Sequence, residues 1–309
     1  MRGKTRMQFF PPVVIFLGNR EEKKMYLTKF SFPDADREFD FFLSVKRTCY
    51  ESYYPFQVLS KAGLRRIDPA PVTILYGGNG CGKTTVLNVI AQKLELKRDA
   101  SFNQSSFFAD YVRLCDYEGE KRMPKESRII TSDDVFDFML DLRAVNEGVD
   151  RRREELFDEY LNAKYGEFKY RTMDDLERLR QVNLARSKTQ SKFVKSSLIG
   201  NVREHSNGES AFTYFTEKIG ENALYLLDEP ENSLSAQRQQ ELVTFLEDSA
   251  RFFGCQFIIS THSPFLLAIK GAKIYDMDER PVDVKRWTQL ESVRVYYDFF
   301  KKHEREFER

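Results

Sequence analysis

One stretch, Gly77-Gly78-Asn79-Gly80-Cys81-Gly82-Lys83-Thr84-Thr85, limits what this chain can fold into more than any other feature. It fits the pattern G-x-x-x-x-G-K-[ST]. The apolar, β-branched run Val72 to Tyr76 precedes it and reads as a buried strand, and the spacing after it predicts a helix from about Lys83 to Leu94. Glycines let such a loop curl until its backbone N–H groups point inward at phosphate oxygens, and the helix N-terminus adds a positive partial charge. Lys83 is expected to reach the β- and γ-phosphates of a nucleotide, and the Thr84 hydroxyl to ligate Mg²⁺. Strand, glycine loop and helix in that order call for a parallel sheet covered by helices.

Two later strands end in chemistry-bearing residues. Ala223 to Leu227 is an apolar run that delivers Asp228 and Glu229 at its C-terminal end, where ligands collect in open α/β sheets. Asp228 is placed to hold the metal and Glu229 to polarise an attacking water. Gln256 to Ser260 is another buried strand, and Thr261-His262-Ser263-Pro264 follows it directly. His262 is a candidate donor to the γ-phosphate or holder of the water. A further anion nest is offered by Ser206-Asn207-Gly208-Glu209-Ser210 before a helix. One phosphate loop has no need of a second nest for the same phosphate, so Ser206, Gly208 and Glu209 are expected to serve the nucleotide of another subunit; an ordinary helix cap is the plainer alternative.

Composition excludes more than it selects. A net charge of +1 gives no global field toward nucleic acid or an acidic membrane, so any such site is a local patch. Arg178 to Lys195 is such a patch, with six basic residues and no acidic one; it reads either as a solvated helical face or as a non-specific phosphate contact. The four cysteines Cys49, Cys81, Cys115 and Cys255 are scattered, which suits reduced thiols in the cytoplasm better than a disulfide framework or a zinc site. The apolar run Phe9 to Leu17 is broken by Pro11 and Pro12 and is too short to span a bilayer.

Elsewhere, Met25 to Phe32 and Phe39 to Val45 read as strands separated by the turn-rich Pro33 to Asp36. Residues 100–200 read as a mainly helical insertion, with Ile129 to Thr131 a short strand, Ser132 or Asp133 a helix cap, and further helices over Arg151 to Leu161 and Met173 to Leu184. Ala236 to Phe253 reads as a helix and Ala272 to Met277 as a last strand. The expectation is one α/β domain over 1–309, with a mostly parallel central sheet flanked by helices, antiparallel strands at the N-terminus, and that insertion.

In this order the motifs resemble the ABC-type ATPase superfamily. Gly77 to Thr85 is similar to its Walker A loop, His205 to Glu209 to its signature, Ala223 to Glu229 to Walker B, Glu231 to Ser235 to the D-loop, and His262 to the switch histidine. "SNGES", "LYLLDEPENSLS" and "QFIISTHSPFLLA" are similar to stand-alone predicted AAA-family (AAA_21-type) ATPases, near the SMC, OLD-family and RecF-like ATPases. The resemblance implies ATP and Mg²⁺ as ligands and a head-to-tail homodimer sandwiching two ATP molecules, in which Ser206 and Gly208 of one subunit face the phosphate held by Lys83 of the other. It also implies an aromatic residue stacked on adenine, for which Tyr53, Tyr54 and Phe56 are candidates beside the reading of ordinary core aromatics. No residue stands out as the superfamily's glutamine loop; Gln104 is a candidate left out of the site. Asn207 and Glu209 stand where transporters usually carry Gly and Gln.

The function expected is ATP hydrolysis coupled to dimer opening and closing, acting on a separate effector protein in DNA handling or anti-phage defence, with DNA a candidate partner and no membrane insertion. The rival readings are an ATP-binding subunit of a membrane transporter and a non-hydrolysing assembly regulator.

Overall fold

The computed structural model describes residues 25–46, 50, 52–165, 176–197 and 207–308. Its elements in chain order are β1 (Leu27–Ser31), α1 (Ala35–Ser44), β2 (Arg66–Ile67), β3 (Val72–Tyr76), α2 (Lys83–Lys93), α3 (Phe108–Leu114), β4 (Asp116–Gly119), β5 (Arg128–Ile130), α4 (Ser132–Tyr165), α5 (Leu176–Ser187), α6 (Gln190–Ser197), α7 (Asn207–Lys218), β6 (Leu224–Asp228), α8 (Ala236–Phe252), β7 (Gln256–Ser260), α9 (Pro264–Leu267), β8 (Lys273–Asp276), β9 (Asp283–Lys285) and α10 (Glu291–Phe307). The main sheet has the order β5-β6-β7-β3-β8-β9, parallel except for β9, which returns antiparallel to β8. A second sheet, β2-β1-β4, is antiparallel.

Alternation along the strands decides which residues face which layer. Leu224 and Leu226 of β6, Leu75 of β3 and Ile258 of β7 face a core shared with α2, α3 and the small sheet. Tyr225, Leu227, Ile74 and Ile259 point the other way, into a core closed by α7, α8 and α9. Both faces of the central strands are therefore buried, which is why they read as continuous apolar runs. Gln256, fully buried at the start of β7, fastens the two sheets: its Oε1 accepts from the amides of Tyr26 and Leu27 at 2.9 Å each, and its Nε2 donates to the Leu27 carbonyl at 2.8 Å. Each such group left unpaired in the interior costs about 1–3 kcal/mol.

The segment Phe39 to Val45, expected as a strand, lies largely in helix α1. Asp34 is an N-cap rather than part of a turn, accepting from the Arg37 amide at 3.0 Å. The residues turned inward are Glu38, Phe41, Phe42 and Val45, at helical spacing, while Phe39 and Leu43 are exposed. Residues 100–200 are in part sheet: β4 completes the small sheet and β5 forms the edge of the main one, so the helical excursion starts at Ser132. There the two expected helices are one, α4, 34 residues long. Its far half packs Leu156 and Tyr160 against Ala185, Phe193 and Val194 of α5 and α6. The helix expected over Met173 to Leu184 is described from Leu176 onward. The thiols of Cys81, Cys115 and Cys255 are unpaired, while Cys49 and the Phe9 to Leu17 run lie outside the described residues. No helix among the described residues is long and apolar enough to cross a membrane.

Candidate active site

Parallel pairing sets the site. β6, β7 and β3 are neighbours running the same way, with Asp228 in register with Ser260 and Ser260 with Leu75. The residues following each strand therefore emerge along one edge of the sheet, β6 itself ending on Asp228. From β3 comes the glycine loop. Gly77 has φ +153°, and a Cβ there would lie 2.7 Å from the Cys81 sulfur; Gly82, with φ +103°, opens α2 in a left-handed conformation that L side chains avoid. The loop is tethered from β8's far end: both carboxylate oxygens of Asp278 accept from the Gly78 amide, at 3.0 and 2.8 Å.

Lys83 is buried, and its ammonium donates to the carbonyls of Gly77 (2.7 Å) and Gly78 (3.1 Å), folded back across the loop it closes. Glu229 Oε1 stands 3.9 Å away, an ion-pair distance. Behind Lys83, the Thr84 hydroxyl donates to Asp228 Oδ1 at 3.2 Å, and Ser260 Oγ donates to the same oxygen. Burial pushes the Asp228 carboxyl above the usual carboxylate range, against the hydrogen bonds from Ser260 and Thr84. Thr84 and Asp228 offer hard oxygen donors side by side, the kind of pair a magnesium ion takes.

Glu229 adopts φ +47°, a left-handed backbone uncommon outside glycine, in the first residue past β6. The amide of Glu229 donates to Ser260 O at 3.0 Å, and its Oε2 accepts from Asn232 at 3.0 Å. His262 Nδ1 lies 3.7 Å from Glu229 Oε1. Lys83, Asp228, Glu229 and His262, spread over 180 positions of sequence, thus meet at one sheet edge. Of the second nest, Ser206 lies outside the described residues; Gly208 and Glu209 fall in the first turn of α7, with Glu209 Oε1 accepting from Arg238 of α8 at 3.2 Å.

Several residues about the site have no chemical role assigned from the sequence. Ser260, Asp278, Asn232 and Glu231 each hold a functional segment in place. Ser260 ends a buried strand and Glu231 and Asn232 open the D-loop-like stretch, while Asp278 lies in none of the stretches the sequence singles out. Tyr54 donates to or accepts from Thr85 Oγ1 at 3.1 Å, while Phe56 stacks on Phe41 at 4.4 Å and Tyr53 lies 4.7 Å from Phe107, so all three adenine candidates are members of an aromatic core. Gln104 is exposed in the connection before α3.

Asp228→Asn is expected to raise the melting temperature of the nucleotide-free protein by about 1–3 °C, because it removes a buried charge and keeps the oxygen that Thr84 and Ser260 bond. The sign follows from the raised carboxyl: the folded state binds its proton more tightly than the unfolded chain, so this group's contribution to stability is present at low pH and is lost as pH rises through the folded value. Calorimetry at neutral pH checks it, and a lower melting temperature for the variant contradicts the assignment.

A glycine loop between a parallel strand and a helix, facing an acidic strand end, defines a P-loop nucleotide hydrolase. The chain belongs to the ABC ATPase family: the family model described as "ABC transporter" matches residues 65–232. A second model, "AAA domain, putative AbiEii toxin, Type IV TA system", matches residues 201–268. The chain is accordingly an ATP-binding, ATP-hydrolysing cassette. No curated protein matches it. Among solved structures it is similar to a nucleotide-free ATP-binding cassette from an ABC transporter (16% identity, 75% of this chain and 87% of that one, TM-score 0.36). It is also similar to the SMC head domain from Thermotoga maritima (13% identity, 85% and 99%, TM-score 0.35). Likeness at that level is loose, and the fold rests on the chain's own strand order.

Proposed function

We propose that this chain is an ATP-driven switch in which two copies close head to tail on ATP, open after hydrolysis, and pass that change to a separate effector protein in DNA handling or anti-phage defence. The observation that carries the reading is the convergence of Lys83, Asp228, Glu229 and His262 on one sheet edge. Under it the chain is one ATPase domain over 1–309, with the helical segment of residues 100–200 as its insertion.

In this mechanism the amides of Gly80, Cys81, Gly82, Lys83, Thr84 and Thr85 cradle the phosphates, with Gly77, Gly78 and Asn79 forming the turn that feeds them. The Lys83 ammonium leaves the Gly77 and Gly78 carbonyls for the β- and γ-phosphate oxygens. Thr84 and Asp228 would hold Mg²⁺, which when bound neutralises phosphate charge. Glu229 orients and polarises a water for in-line attack on the γ-phosphorus; the bond from that phosphorus to the β–γ bridging oxygen breaks, and ADP carries away the electron pair. His262 donates to the γ-phosphate. Ser206, Gly208 and Glu209 of the second copy close over it, so ATP binds the two copies together and its loss weakens the contact.

Three features support the partner reading. The AAA-domain match is described in terms of a toxin–antitoxin system, a two-component arrangement. Arg178, Arg180 and Lys192 are exposed on α5 and α6, a basic surface on the helical insertion. The signature-like Asn207 and Glu209 depart from the residues transporters carry. The test is phosphate release by the purified protein with and without duplex DNA, at low and moderate salt. Slow basal turnover stimulated by DNA, with stimulation fading as salt rises, is expected. Turnover indifferent to DNA at both salts removes DNA from the reading.

A further inference from the structure

We infer that Glu231 is a positioning residue for ATP hydrolysis, its carboxylate holding the loop that carries His262 in register with Glu229; this rests on the site reading above. Glu231 is the second residue after Glu229, in the turn that leads to α8, and it is 6% exposed. Its Oε1 accepts three hydrogen bonds: from Thr261 Oγ1 at 2.6 Å, from the His262 amide at 3.0 Å and from the Ser263 amide at 3.2 Å. Those three residues are the whole connection between the end of β7 at Ser260 and the start of α9 at Pro264.

The sheet ladder has stopped at Ser260, and Ser263 is the N-cap of α9, so the amides of His262 and Ser263 lie beyond both elements. One Glu231 oxygen takes both, and the hydroxyl of Thr261 besides; the Ser263 amide is shared with Thr261 Oγ1 at 3.0 Å, whereas the His262 amide goes to Glu231 alone among the described residues. A charged acceptor makes each of these bonds stronger than a neutral one. On its other side the same turn is fixed to Glu229: the Asn232 amide donates to Glu229 O at 3.2 Å, and the Asn232 side chain to Glu229 Oε2 at 3.0 Å. The Glu231 carbonyl accepts from the Leu234 amide at 2.9 Å. Ser263 Oγ donates to Gln239 Oε1 of α8 at 2.6 Å, which closes the ring of contacts. The turn bearing Glu229 and the loop bearing His262 are thereby held together, at one end by the Glu229 amide on Ser260 O at 3.0 Å, at the other by Gln239 between Leu234 O and Ser263 Oγ, and between them by Glu231. With Glu231 truncated, the His262 amide loses its acceptor, and the remaining ties stop short of that residue on either side. The ring of His262 stands 3.7 Å from Glu229 and 4.0 Å from Glu231, and is half exposed, so its position depends on where its backbone is held.

The test compares Glu231→Ala, Glu231→Asp and Glu231→Gln in the full chain. Alanine removes the acceptor, aspartate withdraws it by one methylene, and glutamine keeps an oxygen of the same reach. Loss of register by about 1 Å in a reacting constellation costs on the order of 10²-fold. Alanine and aspartate are accordingly expected to lower kcat by about 10–100-fold with ATP affinity within about threefold of wild type, and glutamine to recover to within about fivefold. The chain has three histidines, so ring-labelled histidine gives a spectrum simple enough to follow His262. Its resonance is expected to be single in the wild type and in Glu231→Gln, and broadened or split in Glu231→Ala and Glu231→Asp. If alanine fails to fold, the aspartate–glutamine pair carries the comparison. Unchanged kcat in alanine or aspartate, equal loss in glutamine, or a His262 resonance that ignores all three variants overturns the inference. Lys83→Ala, run alongside, separates this from the reading it rests on: turnover that survives Lys83→Ala sinks the ATP-site assignment, while the His262 resonance still decides whether Glu231 holds that loop.

Discussion

Replacing Glu229 with glutamine is expected to lower ATP turnover by about 10²–10³-fold while ATP affinity stays within a few-fold of wild type. A carboxylate that orients and polarises the attacking water acts on the chemical step, and an amide of the same shape keeps the orientation while losing the basicity. Glu229 is well set for this role. Its backbone is held in a left-handed conformation by its amide bond to Ser260 O, and its two oxygens are already divided, one toward Asn232 and one toward Lys83 and His262. The amide side chain can still meet Asn232 with its oxygen. Bound ATP that is not consumed should then trap the closed state, so light scattering of Glu229→Gln with ATP is expected to give twice the mass seen without it. Phosphate release, calorimetric ATP binding and scattering together check this. A variant that turns over ATP at the wild-type rate removes Glu229 from the chemistry, and a monomer in saturating ATP removes the head-to-tail dimer.

How much of this was legible in the sequence depended on range. The strands β3, β6 and β7 and the residues at their ends were legible, because a strand buried on both faces is a short, continuous apolar run and the chemistry sits directly after it. What the linear order hides is anything set by distant partners. Asp278 bonds an amide 200 positions away, and Gln256 fastens an amide 229 positions away. Neither residue type signals such a role on its own. Glu231 was visible only as part of a motif-like stretch, since its three donors come from another strand's end. Helix α1 reads as a strand for a local reason: Phe39, Phe41, Leu43 and Val45 alternate like a strand, while Glu38, Phe41, Phe42 and Val45 step like a helix. A charged residue inside the helical set hid the second pattern, and its burial is explained by bonds its Oε2 accepts from the Gln57 amide (2.9 Å) and Ser60 (2.8 Å). The length of α4 was hidden too, because its apolar residues are only partly used: Val135 and Met139 are buried, while Phe136, Leu140 and Val145 are exposed.

Lys83→Ala is expected to weaken ATP binding by about 30–150-fold, the loss of a charge-assisted bond of roughly 2–3 kcal/mol. The geometry gives the reason the effect should be large. In the free protein the ammonium is buried against the carbonyls of Gly77 and Gly78, with Glu229 as its nearest counter-charge. It is thus already stripped of most of its water and stands at the loop, so engaging a triphosphate exchanges two neutral acceptors for charged ones without new desolvation of the lysine. Alanine leaves the loop amides in place but removes the only cation this loop carries. The two variants therefore divide the reaction: Glu229→Gln spares binding and stops chemistry, whereas Lys83→Ala removes both. Thermal shift reads the difference directly. ATP at a hundredfold excess over its Kd stabilises a protein by about 2.7 kcal/mol, so the wild type and Glu229→Gln should both melt higher with ATP. Lys83→Ala at the same ATP concentration should melt little higher than it does alone. Equal ATP-induced shifts in all three proteins would mean that the triphosphate is held somewhere other than the Gly77–Thr85 loop.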